Sequence, residues 1–222
     1  MKILGIDEAG RGAVIGPLVI CGALIDENKL SELVKLKVKD SKLLTENQRD
    51  ILAPQIRIVL HAYEIVKISP KEIDSQRNSG ISLNDIEAEK MAHLINEYKP
   101  DIVYVDAIDS DLKTFRARMN KFLRFTPKKS IFEHKADVKY PIVSAASILA
   151  KVERDEDVKA LELNYGTIGS GYPSDPITVS FLKDWLEEHG KLPVEIIRET
   201  WSTAEAFKTK GKQKSLQDWL SK

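Results

Sequence analysis

The 222-residue chain has a single cysteine, Cys21, so no intramolecular disulfide can form and the fold does not depend on one. That cysteine sits inside Val19-Ile20-Cys21-Gly22-Ala23-Leu24, where a free thiol behaves as a small buried hydrophobe rather than as a nucleophile. Long apolar runs are also missing. Nothing approaches the roughly 20 residues needed to cross a bilayer, and the longest stretch, Val14 to Ile25, is interrupted by Gly16-Pro17 and begins too late for a signal sequence. Neither sign of charge is in excess: Lys plus Arg and Asp plus Glu each total 34, so any surface for a polyanion must be local. No internal repeat is visible. These absences point to a cytoplasmic chain with no membrane association and one sizeable core, to which a small piece is appended.

What the chain does have is concentrated at its start. A predicted strand from Lys2 to Glu8 ends in Asp7-Glu8 and runs straight into Ala9-Gly10-Arg11-Gly12. Hard divalent cations take oxygen ligands and keep several waters, so a few carboxylates suffice for metal-dependent chemistry on a phosphodiester. Gly10 and Gly12 expose the backbone of the turn to a sugar or phosphate, and Arg11 adds a planar cation.

The hydrophobic pattern reads as α/β. A second strand is expected over Ile15 to Ile25, a helix over Thr45 to Leu60 despite Pro54, and an extended stretch over His61 to Ile68. Ser69-Pro70-Lys71-Glu72 has the form of a capped helix start, Leu83 to Tyr98 is an amphipathic helix, and Ile102 to Asp106 is a strand ending in a carboxylate. Helical spacing follows over Asp111 to Phe125, a short strand over Ser130 to His134, and a long helix from Pro141. Tyr165 to Asp175 is a glycine-rich loop, Asp175-Pro176 opens a helix that stops at Gly190, and Pro193 to Phe207 is expected to be one more helix. The resulting division is a main domain over residues 1–175, a helical extension over 176–207 and a tail over 208–222.

Acids thus fall at three strand ends or near-ends: Asp7 with Glu8, Asp106, and Asp137. In an α/β sheet such positions converge where neighbouring strands terminate, at the spacing a metal pair requires. Because adjacent strand residues face opposite ways, Asp7 and Glu8 share a site only if Glu8 lies at the strand end, where the turn re-aims it.

These residues carry a resemblance. Asp7-Glu8-Ala9-Gly10-Arg11-Gly12, Val38-Lys39-Asp40-Ser41-Lys42, Tyr104-Val105-Asp106, and the stretch from His134-Lys135-Ala136-Asp137 through Ser144-Ala145-Ala146-Ser147 to Lys151-Val152-Glu153-Arg154-Asp155 resemble ribonuclease H type 2, the HII branch, in its archaeal form. Gly169-Ser170-Gly171-Tyr172-Pro173-Ser174-Asp175-Pro176 matches as well, and the matches span nearly the whole chain in order.

The resemblance implies an RNase H-like fold, a mixed β-sheet flanked by helices with a helical C-terminal extension. It implies an endonuclease that hydrolyses RNA in RNA/DNA hybrids and cuts 5′ to ribonucleotides embedded in duplex DNA, leaving 3′-OH and 5′-phosphate ends. Asp7, Glu8, Asp106 and Asp137 match the metal-binding acids, with two Mg²⁺ or Mn²⁺ ions acting in catalysis. Gly10, Arg11 and Gly12 would read the ribose 2′-hydroxyl, and Tyr172 would stack near the sugar after the scissile position; the other reading of Tyr172 is a loop aromatic packed on Pro173.

Lys42 is either a phosphate contact or a solvated loop cation. Ser144, Ser147 and Lys151, at i, i+3 and i+7, present a polar helix face to a strand backbone or pack closely through small residues. His134 reads as a strand-end histidine without a catalytic role. Ala13 stands where many relatives have proline, which bears on the stiffness of the turn.

The tail contains Gln213, Leu216, Trp219 and Leu220 in the spacing of a clamp-interacting box, a single helical turn that plugs a hydrophobic pocket on a sliding clamp. The alternative is a short amphipathic helix folded back on the body. A monomer is expected.

Overall fold

The computed structural model describes residues 1–38 and 44–209. Lys42 and the tail positions Gln213, Leu216, Trp219 and Leu220 lie outside the described residues. Five strands, β1 (Lys2–Ala9), β2 (Leu18–Asp26), β3 (Ala62–Ile68), β4 (Ile102–Asp106) and β5 (Lys129–Glu133), form one sheet in the order β3-β2-β1-β4-β5. β1 pairs antiparallel with β2 and parallel with β4, and β4 pairs parallel with β5, so the sheet is mixed.

The helices include α1 (Leu30–Lys35), α2 (Glu46–Val59), α3 (Pro70–Asn78), α4 (Leu83–Tyr98), α5 (Leu112–Phe122), the single turn α6 (Ala136–Lys139), α7 (Pro141–Tyr165) and α8 (Pro176–His189). Their starts follow local chemistry. Thr45 and Gln48 make a reciprocal capping box that opens α2, and the Ser69 hydroxyl accepts the Glu72 N–H at 3.1 Å ahead of Pro70 in α3. Asp175 caps α8 by accepting the Ile177 N–H at 2.9 Å. Among the described residues, no helix is long and apolar enough to cross a membrane.

The chain divides into two compact units, interleaved in sequence. The first comprises Met1–Ala9, Val19–Lys67 and Ser82–Glu153; the second comprises Gly10–Leu18, Ile68–Ile81 and the residues from Arg154 onward. In the first unit, alternate residues of β1 and β2 (Ile3, Ala9, Val19, Cys21, Ala23, Ile25) join α7 residues such as Ile142, Val143, Ala146 and Leu149 in one core. α7 lies close on the sheet because Gly5 has no side chain: a Cβ there would stand 2.5 Å from the Ile142 carbonyl oxygen. The second unit has its own core of Val14, Ile15, Val158, Ile168, Phe181, Leu182, Leu192, Ile196, Ile197 and Ala204.

Two expected elements are displaced. β2 begins at Leu18 rather than Ile15, because Ile15 leaves the sheet and bridges instead to Ile197. The helix expected from Pro193 begins at residue 202; Ile197 is in that bridge and the Arg198 N–H donates to the Val14 carbonyl at 2.9 Å, which holds the preceding stretch out of a helix.

Candidate active site

Parallel register brings the first two acids abreast. Gly5 pairs with Tyr104 and Ile6 with Val105, so the next step along β1 and β4 sets Asp7 beside Asp106. Ile3 and Gly5 on β1, with Ile102 and Tyr104 on β4, precede them on the face covered by α7, so both carboxylates continue a row that is otherwise apolar or side-chain-free. The third acid arrives through a turn. Lys135, at φ 57°, reverses the chain after β5 into α6, and the Ala136 N–H donates to Asp106 Oδ1 at 3.0 Å, which ties the start of α6 to the end of β4. Asp137 follows on α6 and is 2% exposed.

The charges of Asp106 and Asp137 both act on Asp7. Asp7 is 4% exposed, and its carboxyl is pushed up to about 7 by burial and then by the charges of Asp106 and Asp137, against the lowering effect of a hydrogen bond from Ser147 and of the Glu8 N–H, which donates to Asp7 Oδ1 at 2.8 Å. Cys21, opposite Asp7 in the β1–β2 ladder, is buried, and its thiol is pushed far up by burial and by the neighbouring Asp7 and Glu153 carboxylates. It is a packing residue, as its sequence context implied.

Glu8 is placed differently from expectation. The β1–β2 ladder continues through Glu8–Ile20 and Ala9–Val19, so Glu8 lies within the strand and its side chain leaves the backbone on the face opposite Asp7. Its half-buried carboxylate stands one residue from the strand end rather than in the turn.

The polar face of α7 also turns inward. Ser144 is buried and its hydroxyl donates to the Val38 carbonyl, a packing contact. Ser147 is buried against Asp7, and Lys151 Nζ donates to Ser147 Oγ at 3.1 Å. Of the i, i+3, i+7 row, Ser147 therefore supports Asp7, with Lys151 behind it, while Ser144 packs against the Val38 backbone. His134 is exposed in the turn after β5.

The donor set contains oxygen only, from carboxylates and one hydroxyl. Among the described residues, no three His, Cys, Asp or Glu side chains are grouped so as to hold a metal ion by themselves. The oxygen-only chemistry suits Mg²⁺, which is commonly held by one or two carboxylates together with substrate phosphate and water.

In the second unit, the turn after β1 meets the glycine-rich loop. The Gly10 N–H donates to the Tyr172 hydroxyl at 3.1 Å, Gly12 faces the Tyr172 ring, and the Val14 and Ile15 N–H groups both donate to the Gly171 carbonyl at 2.9 and 3.1 Å. Ala13 closes the turn with its own N–H on the Gly10 carbonyl at 3.2 Å, a bond that proline cannot make. The Tyr172 ring lies beneath the Arg154 guanidinium, a partner that neither reading of this tyrosine named.

Two arginines that sequence reasoning passed over frame these loops. Arg198 is fully buried and donates to the Gly16 and Arg11 carbonyls, each at 3.1 Å. Arg154 lies at four-residue spacing after Ala146 and Ala150, so its place on a buried helix face was the available signal. Arg198 gave none, since its partners are more than 180 residues distant in the chain.

Comparison with known proteins agrees with this architecture. A family model described as ribonuclease HII matches residues 4–204. The ribonuclease HII of Pyrococcus abyssi is 46% identical, over 97% of this chain and 95% of the relative. The crystal structure of ribonuclease H2 from Pyrococcus horikoshii superposes with a TM-score of 0.87 at 44% identity, covering 96% of this chain and 99% of the other. Ribonuclease HII of Archaeoglobus fulgidus, solved in complex with PCNA, gives 0.82 at 40% identity over 91% and 96% of the two chains. The chain belongs to the ribonuclease HII family, endoribonucleases that hydrolyse RNA in RNA/DNA hybrids.

Proposed function

We propose that this protein cuts on the 5′ side of ribonucleotides embedded in duplex DNA, as well as within RNA/DNA hybrids, by metal-dependent hydrolysis. Water adds to phosphorus and the P–O3′ bond breaks, leaving 3′-OH and 5′-phosphate ends. Asp7, Asp106 and Asp137 would hold the cations; the family resemblance assigns Glu8 to the same set, although the pairing of β1 starts its side chain on the face opposite Asp7. Bound Mg²⁺ or Mn²⁺, two ions in the full site, would supply Lewis-acid polarisation of the phosphodiester and a more acidic water. The observation that carries the metal assignment is the burial of Asp7 with the charges of Asp106 and Asp137 acting on it, an arrangement of acids that a cation would neutralise.

The protein's own groups prepare that arrangement. The Ser147 hydroxyl and the Glu8 N–H favour the ionised form of Asp7, and Lys151 steadies Ser147. Gly10, Arg11 and Gly12, with Tyr172, would read the ribose: a hydroxyl already bonded to the Gly10 amide is a donor and acceptor pair suited to a 2′-OH, the group that distinguishes RNA from DNA. Lys42 remains a candidate phosphate contact. Gln213, Leu216, Trp219 and Leu220 would bind a sliding clamp, a reading supported by the PCNA complex of the Archaeoglobus fulgidus relative.

The decisive assay uses a duplex with one ribonucleotide and a matched all-DNA duplex. With Mg²⁺, cleavage is expected 5′ to the ribonucleotide while the all-DNA duplex survives; equal cutting of both would refute the ribose reading, and cutting undiminished by chelation would refute the metal reading.

A further inference from the structure

The turn and loop just described share a side chain to which the proposed hydrolysis assigns no task. Arg154 is 3% exposed. Its guanidinium lies over the Tyr172 ring, 4.6 Å from the centroid, and its Nη2 donates to the Ser170 carbonyl at 2.6 Å. On the other side it supports the turn: a Cβ on Gly10, which sits at φ 83°, would meet Arg154 Nε at 2.5 Å, so the backbone rests directly on the guanidinium. The Tyr172 hydroxyl then closes the loop by accepting the Gly10 N–H. Arg154 therefore touches both partners of that hydrogen bond.

Its charge is poorly compensated. The Nε is buried without an acceptor among the described residues, and the Asp155 carboxylate stands 3.7 Å from Nη1. Burying a guanidinium on these terms costs desolvation that an apolar side chain of similar size would not. What it provides is a rigid plane that stacks on a ring and donates in its own plane at the same time, which neither Lys nor Gln can do.

We propose that Arg154 is a positioning residue for ribonucleotide recognition. It fixes the tilt of the Tyr172 ring and the height of the Gly10 turn, so that the sugar at an RNA-to-DNA junction meets a preformed platform. Without the guanidinium, the ring gains rotational freedom and Ser170 loses its tether. A junction substrate, which relies on the ring, then loses more than a uniform hybrid does. The inference rests on the assignment of Tyr172 and the Gly10 turn to the ribose.

The test measures kcat and KM with Mg²⁺ for a single-ribonucleotide duplex and for a uniform RNA/DNA hybrid, using the full chain and its Arg154→Gln, Arg154→Lys, Tyr172→Ala and Arg154→Gln/Tyr172→Ala variants. Arg154→Gln is expected to lower the junction-to-hybrid ratio of kcat/KM about 10-fold or more, since a misplacement near 1 Å costs up to 10²-fold. Arg154→Lys restores the ratio only in part, and the double variant is no worse in that ratio than Tyr172→Ala. If Arg154→Gln does not fold, Arg154→Lys carries the comparison. A wild-type ratio in both Arg154 variants alongside a collapsed ratio in Tyr172→Ala overturns the inference alone, as does an equal loss on both substrates. An unchanged ratio in Tyr172→Ala overturns the Tyr172 assignment, and the inference with it.

Discussion

A carboxylate that is 4% exposed, within the field of two others, is costly to ionise, and Asp7 keeps its proton up to about pH 7 for that reason. Because the folded value stands above that of the unfolded chain, the native state binds this proton more tightly. The associated stability is present below the ordinary carboxylate range and is lost as pH rises through about 7. Metal-free protein is therefore expected to lose thermal stability between about pH 4 and pH 7, and Mg²⁺ to raise Tm more at alkaline than at acid pH. Asp7→Asn removes both the charge and the ligand: it should flatten the Tm-against-pH curve, blunt the Mg²⁺ effect and abolish cleavage while the fold survives. Calorimetry across pH checks this, and an unchanged slope in Asp7→Asn would show that another group titrates.

At the scale of elements, the seating of α7 on β1 decides whether Asp7 finds Ser147. One close point of that seating is Gly5 against the Ile142 carbonyl, two residues before Asp7 on the same strand face. Gly5→Ala forces the helix away and should destabilise the protein by about 1–3 kcal/mol, the usual cost of overpacking. It should also raise the Mg²⁺ concentration needed for half-maximal cleavage, because the Ser147 hydrogen bond to Asp7 is stretched. Urea unfolding combined with a Mg²⁺ titration reads both effects; a variant as stable as the wild type would mean that the contact yields without cost.

For the whole molecule, the proposed chemistry belongs to the acids of the sheet and the proposed recruitment to the tail. Trp219→Ala should abolish retention of the protein by an immobilised sliding clamp yet leave cleavage of free single-ribonucleotide duplex unchanged. Loss of cleavage in that variant would instead tie the tail to the body of the enzyme. The two compact units each draw on segments far apart in the chain, and Gly10–Leu18 groups with residues from 154 onward although it directly follows β1.

The sequence by itself determined whatever depends on near neighbours. The bounds of α4 and β4 coincide with those expected from periodicity, the cap at Ser69 makes the bond its spacing implied, and α8 opens at Asp175-Pro176 as expected. The acids Asp7, Glu8, Asp106 and Asp137 were legible through strand ends and family resemblance. Tertiary structure alone decided matters settled by residues remote in the chain. Strand pairing carried β1 past Glu8 and set its side chain on the other face, and the bridge of Ile15 to Ile197 shortened β2 and delayed the last helix. Burial and the convergence of Asp106 and Asp137 raised the Asp7 carboxyl, and the placement of Arg154 between the Gly10 turn and the Tyr172 ring appears in no local pattern. Periodicity and capping register contacts a few residues long, whereas register, burial and charge fields arise only once the chain has closed on itself.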